Sequence, residues 1–453
     1  MVRFRCPNGY NQYPSKSKKC VPKANIPNKS KNKEKNKTLK QPKKSPTKVV
    51  KTEIIGQGSY GCVYRPYIPC KVYNAKLHNT DSKNLISKFM LKRDAEKELD
   101  EFKFISKLDP QNKYHLGTPV MCQPDYNDPR IVKALEECYL SDTSPLYEPS
   151  KKQSFRVLTF PYGGLNLKDY CRKQLTSSLS PAIVRDFWMK CVLNLFDGLE
   201  FFQKNGLIHY DLKPHNILFN EGKMQMRYID FGLMTNMESF INASKENNNP
   251  QAVMHWSYPW ATAFANADTF NKYVESSEVE KADYTWDFTN LIVGGKYSID
   301  LQQLGVDASR PSALNHVFDY IYTKEEMRKM VHDMKLYQTR ISLKVDEFFQ
   351  GLERFSTIPV EPHFVDINKQ GETVNLKFIV MVGASIDVYG LGFTLQYVLN
   401  NFYEKKLIKK SFYDDFTKLF ATMYETDITK QQLSATFLKR QYAEMVKKRM
   451  YWS

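Results

Sequence analysis

The stretch "IHYDLKPHN", Ile208 to Asn216, decides how this chain is read, together with "IDFG" at Ile229 to Gly232. Within six residues it sets out a carboxylate, an ammonium and a carboxamide. Asp211 can accept a hydroxyl proton or orient the hydroxyl for attack. Lys213 can neutralise charge on a phosphoryl group in transfer, and Asn216 can offer its amide oxygen to magnesium. Asp230 follows the strand-like "MQMRYI" and suits a carboxylate that bridges metal to β- and γ-phosphates. A DFG triplet alone is common by chance. The full loop followed fourteen residues later by that triplet is far less so.

Two motifs upstream supply complementary parts. "GQGSYG", Gly56 to Gly61, lies between Ile55 and Cys62–Val63. Glycines let a backbone approach phosphates and leave its amides free to bond them, here through Gly56, Gln57, Gly58, Ser59 and Gly61. The continuation "CVYRP" reads as a strand, so the glycines belong to a strand–turn–strand hairpin and not to a strand–helix dinucleotide site. Further on, Lys88 interrupts the apolar run "NLISKFM". A lysine buried there needs anionic partners, which phosphate oxygens and a carboxylate would supply. The next segment, "KRDAEKELDEFKFISKL" at 92–108, offers Glu96, Glu98 and Glu101 on an amphipathic helix whose apolar face is Leu99, Phe102, Ile105 and Leu108.

The chain has 453 residues and a net charge of +17. Residues 1–51 hold 14 Lys, 2 Arg and one Glu, so the remaining 402 residues are nearly neutral at +2. The basicity therefore belongs to a Lys/Asn/Ser/Pro-rich tail that cannot bury enough apolar surface to order itself. A solvated tail is one reading of it. Contact with nucleic acid or another polyanion, weakened by salt, is the other. The eight cysteines form no CxxC pair or metal rhythm, which suggests reduced thiols in an intracellular, soluble protein. The apolar run "FIVMVGASI" stops at Asp387 and looks too short to span a bilayer.

Along the chain, "FRVLTFPYGG" reads as a strand ending at a Gly-Gly break, and 181–205 as a long helix capped by Ser180 with Pro181 in its first turn. The region 261–375 is less legible. Thr323 and Glu326 form a capping-box pattern there, and Met327, Met330, Val331, Met334 and Tyr337 follow with helical spacing suited to core packing.

Taken in order, these parts resemble a eukaryotic-type protein kinase over most of 52–445. The resemblance implies an α+β bilobal protein-kinase fold, with a β-rich N-lobe, a mainly helical C-lobe, a large C-lobe insert and a disordered basic N-terminal tail. Its expected boundaries are 1–51 for the tail, 52–160 for the N-lobe, 161–260 for the first part of the C-lobe, 261–375 for the insert and 376–453 for the remainder. It implies ATP and Mg2+, or Mn2+ in its place, as cofactors, and a protein substrate with a Ser or Thr hydroxyl. The Lys213–Pro214 pair resembles the serine/threonine branch. Glu101 becomes the expected partner of Lys88, with Glu98 in reserve. Val63 and Leu218 would sandwich adenine. Phe160 would be the gatekeeper, with Tyr162 and Gly163 offering hinge backbone groups. Ile105, His209 and Phe231 would stack into a spine, and Asp387 in "SIDVYGLG" would anchor the catalytic loop. Short words such as "CPNGY" and "GCVYRPYIPC" are similar to kinases of giant nucleocytoplasmic DNA viruses, which implies host cytoplasm or a virion as the location.

Several departures from the family pattern bear on control. Tyr210 stands where an arginine usually pairs with an activation-loop phosphate. "HWSYPW" replaces "APE", with Trp260 at the glutamate, and the matching arginine is absent from "ETDITKQQLSA". From Pro259 to Asp387 the chain advances 128 positions, more than such a fold needs, and the 25 from Val63 to Lys88 imply another extension. Two other function classes stay open: a pseudokinase scaffold recruiting partners through insert and tail, and a small-molecule or lipid kinase.

Overall fold

Strand Leu85–Leu91 is buried along its length except at Lys88 and Leu91, the pattern of a strand covered on both faces. Successive side chains point to opposite faces, so Ile86, Lys88 and Met90 share one and Leu85, Ser87 and Phe89 the other. The strand lies at the centre of a five-stranded sheet in the order Glu53–Gly58, Gly61–Arg65, Leu85–Leu91, Phe155–Pro161, Val120–Cys122. All its pairings are antiparallel. Helix Lys92–Leu108 runs straight on from the central strand and buries Ala95, Phe102 and Ile105. These pack with Ile86, Met90, Leu158 and Phe160 on the Lys88 face. On the other face helix Pro129–Glu137, capped by Asp128, covers Cys62, Tyr64, Phe89, Phe155 and Val157.

This computed structural model describes residues 10–12, 20–22, 53–58, 60–71, 84–140, 144–145, 154–176, 178–357 and 374–452. Most of the basic tail, and with it the expectation of disorder, lies outside the described residues, as does Ser59. In the first unit, Met1–Val50, strands Tyr10–Gln12 and Cys20–Pro22 form an antiparallel hairpin.

The cysteines correct the sequence reading. Cys62 pairs with Cys138 and Cys70 with Cys122, with Cα atoms 5.8 and 5.7 Å apart, while Cys171 and Cys191 are free and buried. The paired residues are 76 and 52 positions apart in sequence. No local spacing could reveal them, because the sheet and its covering helix bring them together.

In the helical lobe, the Ser180 hydroxyl accepts from the Ile183 N–H to open helix Pro181–Asp186, which continues through a π-helical stretch, Phe187–Val192, into helix Leu193–Lys204. Helix Val374–Glu404 is the longest element, at 31 residues. It runs well past Asp387, so the apolar run is longer than the sequence suggested. Its length and composition would let it cross a membrane, yet its apolar window is wholly buried inside the protein. Its two halves serve two cores. Leu391, Leu395, Val398 and Phe402 pack with the lobe's other helices, while Phe378, Val382, Ile386 and Phe393 pack against the insert.

The insert is helical, with Ala267–Glu275, Glu278–Gly294, Ile299–Leu304, Lys324–His332 and Met334–Thr357 as its main elements. Its core includes Phe264, Phe270, Phe288, Phe348 and Phe349. The Thr323–Glu326 capping box forms as expected. The Met stripe does not face one way, because the helix breaks at Asp333. Met330 is buried, but Val331 and Met334 are exposed. Trp260 is buried against Phe288 and Phe348. The "ETDITKQQLSA" stretch does hold a buried charge: Asp427 accepts hydrogen bonds from Arg354 of the insert and from Thr429. Its side chain is fully buried, so the guanidinium provides the compensation that burial of a carboxylate requires.

Candidate active site

The catalytic loop is held from below by one side chain. Asp387 Oδ2 accepts from the His209 N–H at 2.7 Å, and Oδ1 from the Tyr210 N–H at 2.9 Å. Burial pushes the Asp387 carboxyl up to about 7, against the pull of those two amides. Tyr210 is held at φ 70°, a conformation a bulky residue adopts only when its surroundings impose it. The next residue, Asp211, then faces the cleft. Its Oδ1 accepts from Lys213 Nζ and its Oδ2 from Asn216 Nδ2, both at 2.7 Å. Burial raises the Asp211 pKa while Lys213 opposes the rise. His209 is fully buried, which lowers its pKa to about 4, so it is a neutral spacer. Its ring lies tilted against Phe231, centroids 5.0 Å apart. The structure thus brings Asp211, Lys213 and Asn216 together and places Asp387 as the anchor.

Lys88 sits opposite, half-buried on the sheet. Burial disfavours its charge, but Glu98, Asp230 and Glu101 outweigh that and hold its pKa above the usual lysine range. Its ion pair is with Glu98, not Glu101. Glu101 sits three residues further along, 3.9 Å from Lys97, and burial pushes its carboxyl up to about 7. The spine shifts in the same direction. Phe102 meets Phe231, edge-on at 5.5 Å, and also Phe160 at 5.1 Å, with Ile105 buried in the same core. Glu98 and Phe102 are one helical turn apart, as are Glu101 and Ile105. Both registers satisfy the apolar pattern of the helix. Only the position of Phe231 chooses between them.

The glycine hairpin forms between Glu53–Gly58 and Gly61–Arg65, with Gly58 opposite Gly61 and a bulge between Ile54 and Gly56. Ile55 is exposed, and Gln57 reaches the Glu137 carbonyl. A Cβ added at Gly61 would lie 2.3 Å from the Phe89 carbonyl oxygen, so the strand crossing requires glycine there. Val63 lies directly opposite Lys88. Phe160 is buried near the end of its strand. Tyr162 is corrected: its N–H donates to the Asn84 carbonyl at 2.8 Å, so that donor is committed within the protein. Gly163 remains, packed so closely on Leu218 and Leu116 that a Cβ would lie 2.5 and 2.7 Å from their methyls. A cavity of about 740 Å³ opens beside this hinge, lined by Arg65, Tyr162, Leu179 and Glu221. Neither Asp211 nor Lys88 lines it.

The donor set fits a nucleotide-bound divalent cation. Asn216 Nδ2 is committed to Asp211, so its Oδ1, a hard oxygen, is the atom that would serve a cation. Among the described residues no cluster of three or more His, Cys, Asp or Glu could cage an ion. Asn216 and Asp230 are the residues that would hold it.

Residues 49–253 match the protein kinase domain family. This segment is a protein kinase domain. Cell division control protein 2 homolog D of Antirrhinum majus is 27% identical over 195 residues, 41% of this chain and 49% of that protein. Cyclin-dependent kinase 4 of Xenopus laevis is 33% identical over 108 residues, 24% of this chain and 30% of that protein. A protein of Acanthamoeba polyphaga mimivirus, named as a serine/threonine-protein kinase/receptor, is 32% identical over 85 residues, 19% of this chain but 5% of its own length. The chain thus spans about half or less of the curated relatives it matches. The kinase domain match ends at 253, just before the bilobal fold departs into the insert.

Proposed function

We propose that the chain is an ATP-dependent protein kinase that transfers the γ-phosphoryl group to serine or threonine hydroxyls. The observation that carries this reading is the closed Lys88–Glu98 ion pair facing a complete Asp211–Lys213–Asn216 array. MgATP, when bound, supplies the electrophilic phosphorus and the metal charge that offsets its oxygens. Asp211 orients the substrate hydroxyl and takes its proton. Lys213, 2.7 Å from Asp211, neutralises charge as it builds on the phosphoryl oxygens. Lys88 holds phosphate oxygens and is itself held by Glu98. Magnesium binding falls to Asn216 and Asp230.

Control of this enzyme does not need a phosphate on the segment between Asp230 and Pro259. The Tyr210 hydroxyl donates to the Gln251 carbonyl at 2.9 Å, and its ring stands edge-on to Tyr258 at 5.0 Å. A neutral hydrogen bond and a ring contact thus join loop to segment where a guanidinium–phosphate pair would otherwise act. Radiolabel transfer from ATP to generic protein substrates tests the reading. Transfer is expected with wild type and magnesium, lost in Asp211→Ala, and unchanged by phosphatase pretreatment. Magnesium-dependent ATP binding with no transfer to any substrate would leave a pseudokinase scaffold instead.

A further inference from the structure

Tyr320, in the short helix Phe318–Ile321 of the insert, meets the catalytic loop and the segment between Asp230 and Pro259 at one point. It is buried. Its ring stacks on Trp256, with centroids 5.1 Å apart and planes 9° from parallel. Its hydroxyl accepts from Lys168 Nζ at 3.1 Å, and the Lys168 N–H donates to the Pro214 carbonyl at 3.2 Å. The Tyr320 carbonyl accepts from Asn400 Nδ2 at 3.3 Å, and its ring lies edge-on to Phe393 at 5.8 Å. Both partners belong to helix Val374–Glu404, which carries Asp387 and so already anchors the loop.

Two routes lead from Tyr320 to the catalytic loop, and they reach opposite flanks of Asp211 and Lys213. Through Trp256 the ring holds the stretch from Met254 to Tyr258. The backbone of that stretch is also pinned to the insert: the Met254 N–H donates to the Asp307 carbonyl at 2.7 Å, and the Ser309 N–H to the Met254 carbonyl at 3.1 Å. Tyr258 then stands edge-on to Tyr210, the residue before Asp211, at 5.0 Å. Through Lys168 the hydroxyl holds Pro214, the residue after Lys213. Asp211 Oδ1 and Lys213 Nζ lie 2.7 Å apart between these flanks. Transfer requires that pair in a fixed geometry, and a misplacement of about 1 Å can cost about 100-fold in rate. A buried side chain that bears on both flanks at once is placed to set it.

We propose that Tyr320 is a positioning residue for phosphoryl transfer, holding the Asp211–Lys213 pair in register through its stack on Trp256 and its bond to Lys168. This rests on the kinase reading above and gives the insert a part in it. The insert belongs to the catalytic unit, because it supplies the side chain that joins the segment to the loop.

The test measures transfer from MgATP to a generic protein substrate by the full chain, with kcat, KM for ATP and the urea midpoint taken for each variant. Tyr320→Leu and Trp256→Leu should each lower kcat by about tenfold or more while KM for ATP stays within about twofold, because the loss falls on the loop and not on nucleotide binding. Combining the two should be no slower than the slower single by more than about twofold, since both rings act through one contact. Tyr320→Phe keeps the ring and loses only the bond to Lys168, so it should bring kcat back to about threefold below wild type. Lys168→Met should match it, and the pair together should go no lower. An unchanged kcat in Tyr320→Leu, a fall explained by unfolded protein alone, or effects of the two leucine variants that multiply would overturn the inference and leave the kinase reading standing. If Tyr320→Leu does not fold, the cycle of Tyr320→Phe with Lys168→Met decides by the same rule. Absence of transfer from wild type would remove the kinase reading, and the role of Tyr320 with it.

Discussion

The catalytic loop meets two cores that are built differently. On one side His209, Asp211 and Asn216 are fixed by short polar contacts, above all the two N–H bonds to Asp387. On the other side Tyr210 meets Tyr258 edge-on and bonds the Gln251 carbonyl, while Trp256 and Trp260 pack on rings of the insert beside two backbone hydrogen bonds that tie Met254 to Asp307 and Ser309. The first region tolerates little change in residue type, because donors, acceptors and a metal ligand must each be present. The second needs only volume and shape. The loop's polar groups are therefore held on one side, while aromatic packing holds its neighbour Tyr210 on the other.

The most severe way to break this arrangement is to remove the joint between the cores. Asp387→Ala leaves two buried amides without acceptors, and each unsatisfied group costs about 1–3 kcal/mol. We expect about 3–5 kcal/mol lost from urea unfolding, with both cores reporting the change. A loss below about 1 kcal/mol would mean that water or a neighbour replaces the carboxylate, and the joint would not be Asp387.

The sheet's outer layer provides a control that touches neither core. Cys62→Ser with Cys138→Ser removes one covalent tie, a change worth about 4–5 kcal/mol for a loop of this size. Unfolding of the sheet should begin at lower denaturant, whereas fluorescence from the five tryptophans, Trp188, Trp256, Trp260, Trp286 and Trp452, all of them outside the sheet, should keep its midpoint. A parallel shift in both signals would show that the protein unfolds as a single unit. Adding reductant to wild type, which opens Cys70–Cys122 as well, should shift the sheet's unfolding at least as far.

The polar side also makes a kinetic distinction. Glu98→Ala should lower kcat/KM by about 10- to 100-fold, the range for a lost charge-assisted contact. Glu101→Ala should change it less than about threefold, since Lys88 does not pair with Glu101. A larger effect at Glu101 would return the ion pair to the register that the sequence favoured.

That register marks where sequence reasoning reached its limit. Motif residues that need a specific functional group, Asp211, Lys213, Asn216, Asp230 and Lys88, could be read because few substitutes do their chemistry. Glu98 and Phe102 could not be chosen over Glu101 and Ile105, because helical periodicity is satisfied by either set. The disulfides were hidden by their separation. The insert's helices were partly visible, as the Thr323–Glu326 cap shows, but its packing depends on partners far away in sequence. Arg354 could not have been matched to Asp427 from spacing alone.

The finest comparison concerns Tyr210 itself. Tyr210→Phe removes one hydrogen bond, to the Gln251 carbonyl, and leaves the ring in place against Tyr258 and Phe240. The lost bond and the partly buried carbonyl together should cost about 1 kcal/mol. If packing carries the control, kcat should stay within about twofold of wild type, because the ring still fixes the segment. Tyr210→Leu, which keeps apolar character but loses the ring contacts, should then lower kcat more than Tyr210→Phe does. The reverse order would assign the coupling to the hydroxyl, and the aromatic side would prove to work through a polar contact after all.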